Sequence, residues 1–236
     1  MGAASRILAF DTSGPWCGAA LLIEGRIVAK RHEEMPRGQA ERLMPMLEEV
    51  MAEEGAVWEE LDAIGVGTGP GNFTGIRVGV SAARGLALGL GVPAVGVTAF
   101  EVVRHLLDGA TGRQIAVLPA PRDQWLWELA ENGEAQSTGL AAKADFVCHA
   151  GYLEAPALIA ADAPGSIGVY AIETFQFDCD APATALSDMA SKIAPAIAHL
   201  TAVKLASGAA IPRPAPLYIR PADAAPPSDP PPVILP

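Results

Sequence analysis

The sequence has 236 residues, half of them hydrophobic and 18% charged, which is enough apolar material for the core of one large domain or two small ones. A net charge of −11 excludes tight electrostatic binding to nucleic acid, which needs clustered Lys and Arg, so any RNA contact is expected only indirectly, through a partner. Three cysteines without a CxxC pair (Cys17, Cys148 and Cys179) exclude a zinc ribbon and a disulfide framework.

Ile7 to Phe10 is an apolar run closed by Asp11-Thr12-Ser13-Gly14-Pro15, which predicts a buried strand and a turn. Cys17–Ile23 and Ile27–Arg31 read as two further strands joined at Glu24-Gly25. The period then changes. Leu43, Met46, Leu47 and Val50 recur at helical spacing within Gln39–Glu54, and Pro45 inside that helix predicts a kink. Leu61–Gly67 is strand-like, a glycine-rich loop follows, Gly75–Leu90 is an apolar helix, and Val92–Val97 is another strand.

The second half partly echoes the first. Ile115–Leu118, Gln124–Ala130, Phe146–His149 and Ile167–Ile172 are strand candidates, with a turn at Asn132-Gly133. Ala183–Leu205 is the best late helix. Ten of the last 25 residues are proline, which predicts an extended strap in which Leu217-Tyr218-Ile219 docks as a short strand and the stretch beyond Ala222 is mobile. The expected division is 1–100, 101–211 and a tail 212–236. No span reads as a transmembrane or secretory segment, so a soluble, cytoplasmic protein with no membrane contact is expected.

The most specific motif is Gly67-Thr68-Gly69-Pro70-Gly71-Asn72-Phe73-Thr74-Gly75, between a strand and a helix. Gly67, Gly69, Gly71 and Gly75 permit close backbone approach, and Thr74 is the expected N-cap of the helix. Such a loop reads either as an anion site or as a tight turn without ligand. Asp11-Thr12-Ser13 likewise reads either as a nucleotide contact at a strand end or as an Asx-turn. The four histidines lack HxxxH spacing, so no metal site and no cofactor are expected. Glu33–Asp62 holds ten acids against Arg37 and Arg42, together with four of the six methionines. That pattern fits an adaptable contact surface as well as an ordinary amphipathic helix. Gly79, Ala82, Ala83, Gly85 and Gly89 allow another helix to approach the apolar helix closely. Arg77 and Arg84 share one face of it and are placed to meet acids across a contact.

Ile7–Ser13, the run QAERLMPML (39–47) and GTGPGNFTGIRVGVSAARGLALGLGVPAVGVTAF (67–100) together resemble the TsaB (YeaZ) family. The resemblance is strong over residues 6–103, faint from 104 to 210, and returns at Pro216-Leu217-Tyr218-Ile219-Arg220. It implies an α/β, actin-like ATPase (ASKHA) fold of two similar halves, the second reduced. It also implies a non-catalytic subunit of the tRNA threonylcarbamoyladenosine machinery. Such a subunit pairs with its paralogue, the transferase TsaD, is joined by the ATPase TsaE, and self-associates as a homodimer when the partner is missing. The implied contact lies on the early helices, at Leu43, Met46, Leu47, Val50, Arg77, Val80, Ala83 and Arg84. The family shows Asp-Ala-Arg where this sequence has Pro119-Ala120-Pro121-Arg122, which leaves Asp11 without a second carboxylate. The competing reading is an actin-like nucleotide hydrolase or kinase acting alone through Asp11 and the Gly67–Gly75 loop.

Overall fold

The computed structural model describes residues 6–106, 113–120, 122, 124–142, 146–148, 151–152, 157–160, 175–177 and 186–219. Its centre is a five-stranded sheet made by β1 (Arg6–Asp11), β2 (Trp16–Ile23), β3 (Arg26–Glu34), β4 (Ala63–Gly67) and β5 (Ala94–Val97), in the order β3-β2-β1-β4-β5. β1 to β3 form an antiparallel meander, while β4 runs parallel to β1 and β5 parallel to β4. The central strands β1 and β4 are buried almost throughout, as expected of strands covered on both faces. The charged strand β3, with Lys30, Arg31, Glu33 and Glu34, lies at the edge, where charge discourages further pairing.

The period of two along the strands sorts their side chains into two cores. Leu8, Phe10, Leu21, Ile64 and Val66 face one side, where they meet α1 (Gln39–Glu53) and α2 (Phe73–Leu90). Ile7, Ala9, Leu22 and Ala63 face the other, where they meet α3 (Ala99–Leu106) and the late helix α4 (Leu186–Ala206). α1 runs without interruption through Pro45, and buries Leu43, Met46, Leu47, Val50 and Met51 along one stripe. α2 ends at Gly91 in a left-handed conformation. α3, which follows β5 directly, was not evident in the sequence. Its start is a capping box: Glu101 N donates to Thr98 Oγ1 (3.1 Å) and Thr98 N to Glu101 Oε2 (2.7 Å).

β6 (Arg113–Ala120), β7 (Gln124–Glu131) and β8 (Glu134–Ala142) form a second meander, turning at Asn132-Gly133 as predicted. β9 (Phe146–Cys148), β10 (Gly151–Tyr152) and β12 (Phe175–Phe177) make a small sheet, and β11 (Ala157–Ala160) joins the meander to give the order β11-β6-β7-β8. That order repeats the neighbours β4-β1-β2-β3 of the first sheet, except that β11 runs antiparallel to β6. The fold is of the actin-like ATPase class. The strand predicted at Ile167–Ile172 and the tail beyond Ala222 lie outside the described residues. The division at 100/101 and 211/212 is kept as a proposal. Packing adds one fact to it: α4, from the second half of the sequence, covers the sheet of the first half.

Residues 208–219 form no strand. They run as an extended strap fixed by a bond from Leu217 N to Thr68 O (2.8 Å), where the sequence had suggested a short strand. With Pro214 and Pro216 beside Leu217, the strap lacks the N–H donors for a ladder. Leu217 and Ile219 pack with Phe100, Val103 and Ala116.

Candidate functional site

The carboxyl ends of β1 and β4 bring Asp11-Thr12-Ser13 against the glycine loop and the first turn of α2. Contact is so close that side chains are excluded: a Cβ on Gly67 would overlap the Asp11 carboxylate, and one on Gly75, in the first turn of α2, would overlap the Thr12 carbonyl. Gly71 lies equally close to the Ser13 carbonyl, which accepts a bond from Asn72 N (2.6 Å), and Gly69 makes the turn at φ 84°. Thr12 Oγ1 donates to Gly75 O (2.7 Å), and Trp16 Nε1 (2.6 Å) and Ser13 Oγ (3.0 Å) both donate to Asp11 Oδ2.

The arrangement joins two segments, and its polar groups serve that joint. Asp11, Thr12 and Ser13 are 2%, 1% and 7% exposed. Burial pushes the Asp11 carboxyl above its ordinary value, against the opposing effect of the bonds from Trp16 and Ser13. The side chains of the three residues expected to contact a nucleotide build the turn and lie under it. The Cys17 thiol nearby is fully buried, and burial pushes it up to about 12. Among the described residues no group of three or more His, Cys, Asp or Glu is placed to hold a metal ion. No helix among them is long and apolar enough to cross a membrane.

Thr74 does not cap α2. The cap is Asn72, whose Oδ1 accepts from Thr74 N (3.0 Å) and Gly75 N (2.9 Å). The helix starts two residues earlier than Thr74 would require, and Asn72 is the residue in the extended conformation that an N-cap needs.

The interface residues divide sharply. Leu43, Met46, Leu47, Val50, Val80 and Ala83 are each between 0% and 2% exposed, inside the chain's own core. As placed, these six side chains fill the chain's own core and present no side-chain surface outward. Arg77 and Arg84 reach the strap instead of acids: Arg77 Nε donates to Tyr218 Oη and Arg84 Nε to Pro214 O, both at 2.8 Å.

The outward faces of the two helices are made of other residues. On α2 they are Phe73 (53% exposed), Arg77, Ser81, Gly85, Leu88 (77% exposed) and Gly89. A Cβ on Gly85 or Gly89 would meet nothing within 4 Å. On α1 the exposed residues include Glu41, Met44 and Glu48, and neither glutamate has an ion pair among the described residues. Glu49 and Glu53, by contrast, pair back to Arg31 on β3, Glu49 at 3.2 Å, and Glu49 also pairs with Arg42 of its own helix (2.8 Å). The bonds from Arg42 hold Glu33 and Glu49 below the usual carboxylate range. Periodicity had found α1 and α2 correctly. It could not say that their apolar stripes face inward, and the exposed Phe73 and Leu88 carried no signal in it.

Comparison with known proteins adds the following. The family model "TsaD: tRNA N6-adenosine threonylcarbamoyltransferase" matches residues 27–120. The chain is 35% identical over 125 residues to the Escherichia coli tRNA threonylcarbamoyladenosine biosynthesis protein TsaB, covering 52% of this chain and 53% of that protein. It thus spans about half the length of that relative, and 39% of the Haemophilus influenzae TsaB, to which it is 40% identical over 94 residues. An uncharacterized protein of Mycobacterium tuberculosis is 30% identical over 226 residues, covering 94% of this chain and 95% of that one. Among solved structures, YeaZ from Pseudomonas aeruginosa superimposes with a TM-score of 0.61 at 25% identity, over 91% of this chain and 99% of that one. The sheet order, the loop that closes on Asp11 and these near full-length likenesses agree, and the chain belongs to the TsaB (YeaZ) family.

Proposed function

We propose that the chain is a non-catalytic scaffold subunit of the tRNA N6-threonylcarbamoyladenosine machinery, pairing through α1 and α2 with a TsaD-type transferase and working with a TsaE-type ATPase. The observation that carries this reading is the outward face of α2. An exposed glycine inside a helix costs about 0.5–1 kcal/mol relative to alanine. Gly85 and Gly89 bear that cost with no close neighbour in the chain to require them, beside a Leu88 that is 77% exposed. A helix from another subunit, approaching closely, supplies the missing reason.

The choice of partner is supported by the TsaD-type match over residues 27–120, which spans both helices. A paralogous subunit carries its own version of the helix pair, so α1 of each subunit is set against α2 of the other in a pseudo-two-fold contact. The charges suit this: Glu41 and Glu48 lie outward on α1, whereas Arg77 and Arg84 are the only charged residues of α2. Without the transferase the same surface makes a homodimer. tRNA is reached through the partner, and the setting is cytoplasmic. The buried Asp11 turn supports a role without nucleotide turnover.

The test is sedimentation of the purified chain mixed with the TsaD-type transferase of the same organism. Wild type forms a complex. Leu88→Asp abolishes it, because burying an unpaired carboxylate costs several kcal/mol, while the thermal midpoint of the isolated variant stays unchanged. Binding retained in Leu88→Asp removes α2 from the contact. ATP turnover by the isolated chain that disappears in Asp11→Ala replaces this reading with that of an independent enzyme.

A further inference from the structure

α2 has two charged side chains, and both hold the C-terminal strap. Arg77 does so within a triangular cluster with two aromatic rings. Its guanidinium lies 3.6 Å from the centre of the Phe73 ring and 5.7 Å from that of Tyr218, and the two rings are 5.3 Å apart. The cluster stays open to solvent, with Phe73 53% and Tyr218 47% exposed. Six large hydrophobic residues are exposed among the described ones, and three of them, Phe73, Leu88 and Tyr218, belong to α2 or to the strap beside it.

We propose that the strap completes the partner face: Phe73, Arg77 and Tyr218 form one aromatic-cation platform, gripped by a paralogous subunit through an apolar helix that carries a carboxylate. The proposal rests on the reading of α2 as the docking helix and extends that face to a segment 141 residues away from Arg77 in sequence.

Three properties of the platform support this occupant. Tyr and Arg are enriched at the energetic centres of interfaces, and an aromatic ring provides area at low cost in side-chain entropy. Arg77 uses Nε on Tyr218, and its Nη donors have no hydrogen-bond partner among the described residues, so they are available to a carboxylate in the planar geometry that guanidinium favours. The outer face of this chain's own α1, with Met44 between Glu41 and Glu48, shows what the equivalent helix of a related subunit presents. The strap is also held in place before any partner arrives. Arg84 fixes Pro214, Thr68 O fixes Leu217 N, and Leu217 and Ile219 are packed against Phe100 and Val103, so the ordering entropy is not charged to binding.

The experiment uses the full chain and the TsaD-type transferase of the same organism, with the dissociation constant and the thermal midpoint of the isolated chain read for each variant. Tyr218→Ala and Arg77→Ala are each expected to weaken the complex about tenfold or more at a temperature where the variant is folded. Tyr218→Phe, which keeps the ring and loses the hydroxyl, weakens it less than Tyr218→Ala. Val203→Ala, at an exposed residue of α4 on the opposite side of the sheet from α1 and α2, leaves binding unchanged. Should Tyr218→Ala fail to fold, Arg77→Ala and Tyr218→Phe decide the matter alone. Wild-type affinity in the folded platform variants, with Leu88→Asp abolishing the complex, overturns the platform and leaves α2 as the docking helix. Wild-type affinity in both the platform variants and Leu88→Asp overturns the docking reading itself.

Discussion

The inner and outer sides of α2 carry the same residue types for opposite reasons. On the inner side, Gly75 and Gly79 lie against Thr12: a Cβ at Gly75 overlaps the Thr12 carbonyl, and one at Gly79 comes within 2.8 Å of Thr12 Oγ1. On the outer side, Gly85 and Gly89 face open space. The inner glycines are explained by the chain's own fold, whereas the outer pair has no close neighbour in it, as the proposed docking role requires. A helix rich in small residues is thus two surfaces, one seated on the β1 turn and one facing open space.

The sharpest way to break this comparison is the same substitution on each side. Gly75→Ala forces its Cβ into a backbone carbonyl at the tightest point of the joint, so a loss of about 3 kcal/mol or more in urea unfolding is expected, in the range of severe overpacking. Gly85→Ala, at the other end of the scale, is expected to stabilise the isolated chain by about 0.5–1 kcal/mol and to weaken the complex with the transferase. If both lose stability equally, the outer side is not free.

Between these extremes lies Asp11. Removing the carboxylate in Asp11→Ala strands the Trp16 indole and Ser13 hydroxyl donors and should cost about 1–3 kcal/mol. Asp11→Asn keeps an acceptor and tests the burial of charge. Asp11 has a folded pKa above its ordinary value, so the fold holds the proton more tightly than the unfolded chain does. Its contribution to stability is then fully present below the unfolded pKa and is lost as pH rises through the interval up to the folded value. The difference in urea midpoint between wild type and Asp11→Asn should therefore shift in favour of the variant as pH rises above the ordinary carboxylate range. A difference independent of pH would mean that Asp11 is not strained by burial.

A smaller effect separates the two cap candidates. Asn72→Ala is expected to cost about 0.5–2 kcal/mol, and Thr74→Ala, which loses only an exposed side chain, within about 0.5 kcal/mol. Guanidinium midpoints of the two variants check this, and the reverse order would return the cap to Thr74.

The sequence by itself determined the elements of the first hundred residues. Its apolar runs at β1 and β4, its change of period at Gln39 and its glycine loop before α2 are local properties, and local properties survive without knowledge of the neighbours. It determined the family as well, because the GPGNFTGIR run must fit one particular joint. Tertiary structure decided the rest. Leu43 and Val80 recur at helical spacing whether the stripe meets a sheet or a partner, so only packing could place them in the core. Asn72 and Thr74 are both acceptable caps, and only the backbone conformation at residue 72 selects the first. Arg77 meets Tyr218, and α4 covers a sheet built from residues far earlier in the chain. Contacts of that sequence separation leave no trace in periodicity or spacing, because both describe a residue's relation to its neighbours in the chain, and burial and hydrogen bonding are set by its neighbours in space.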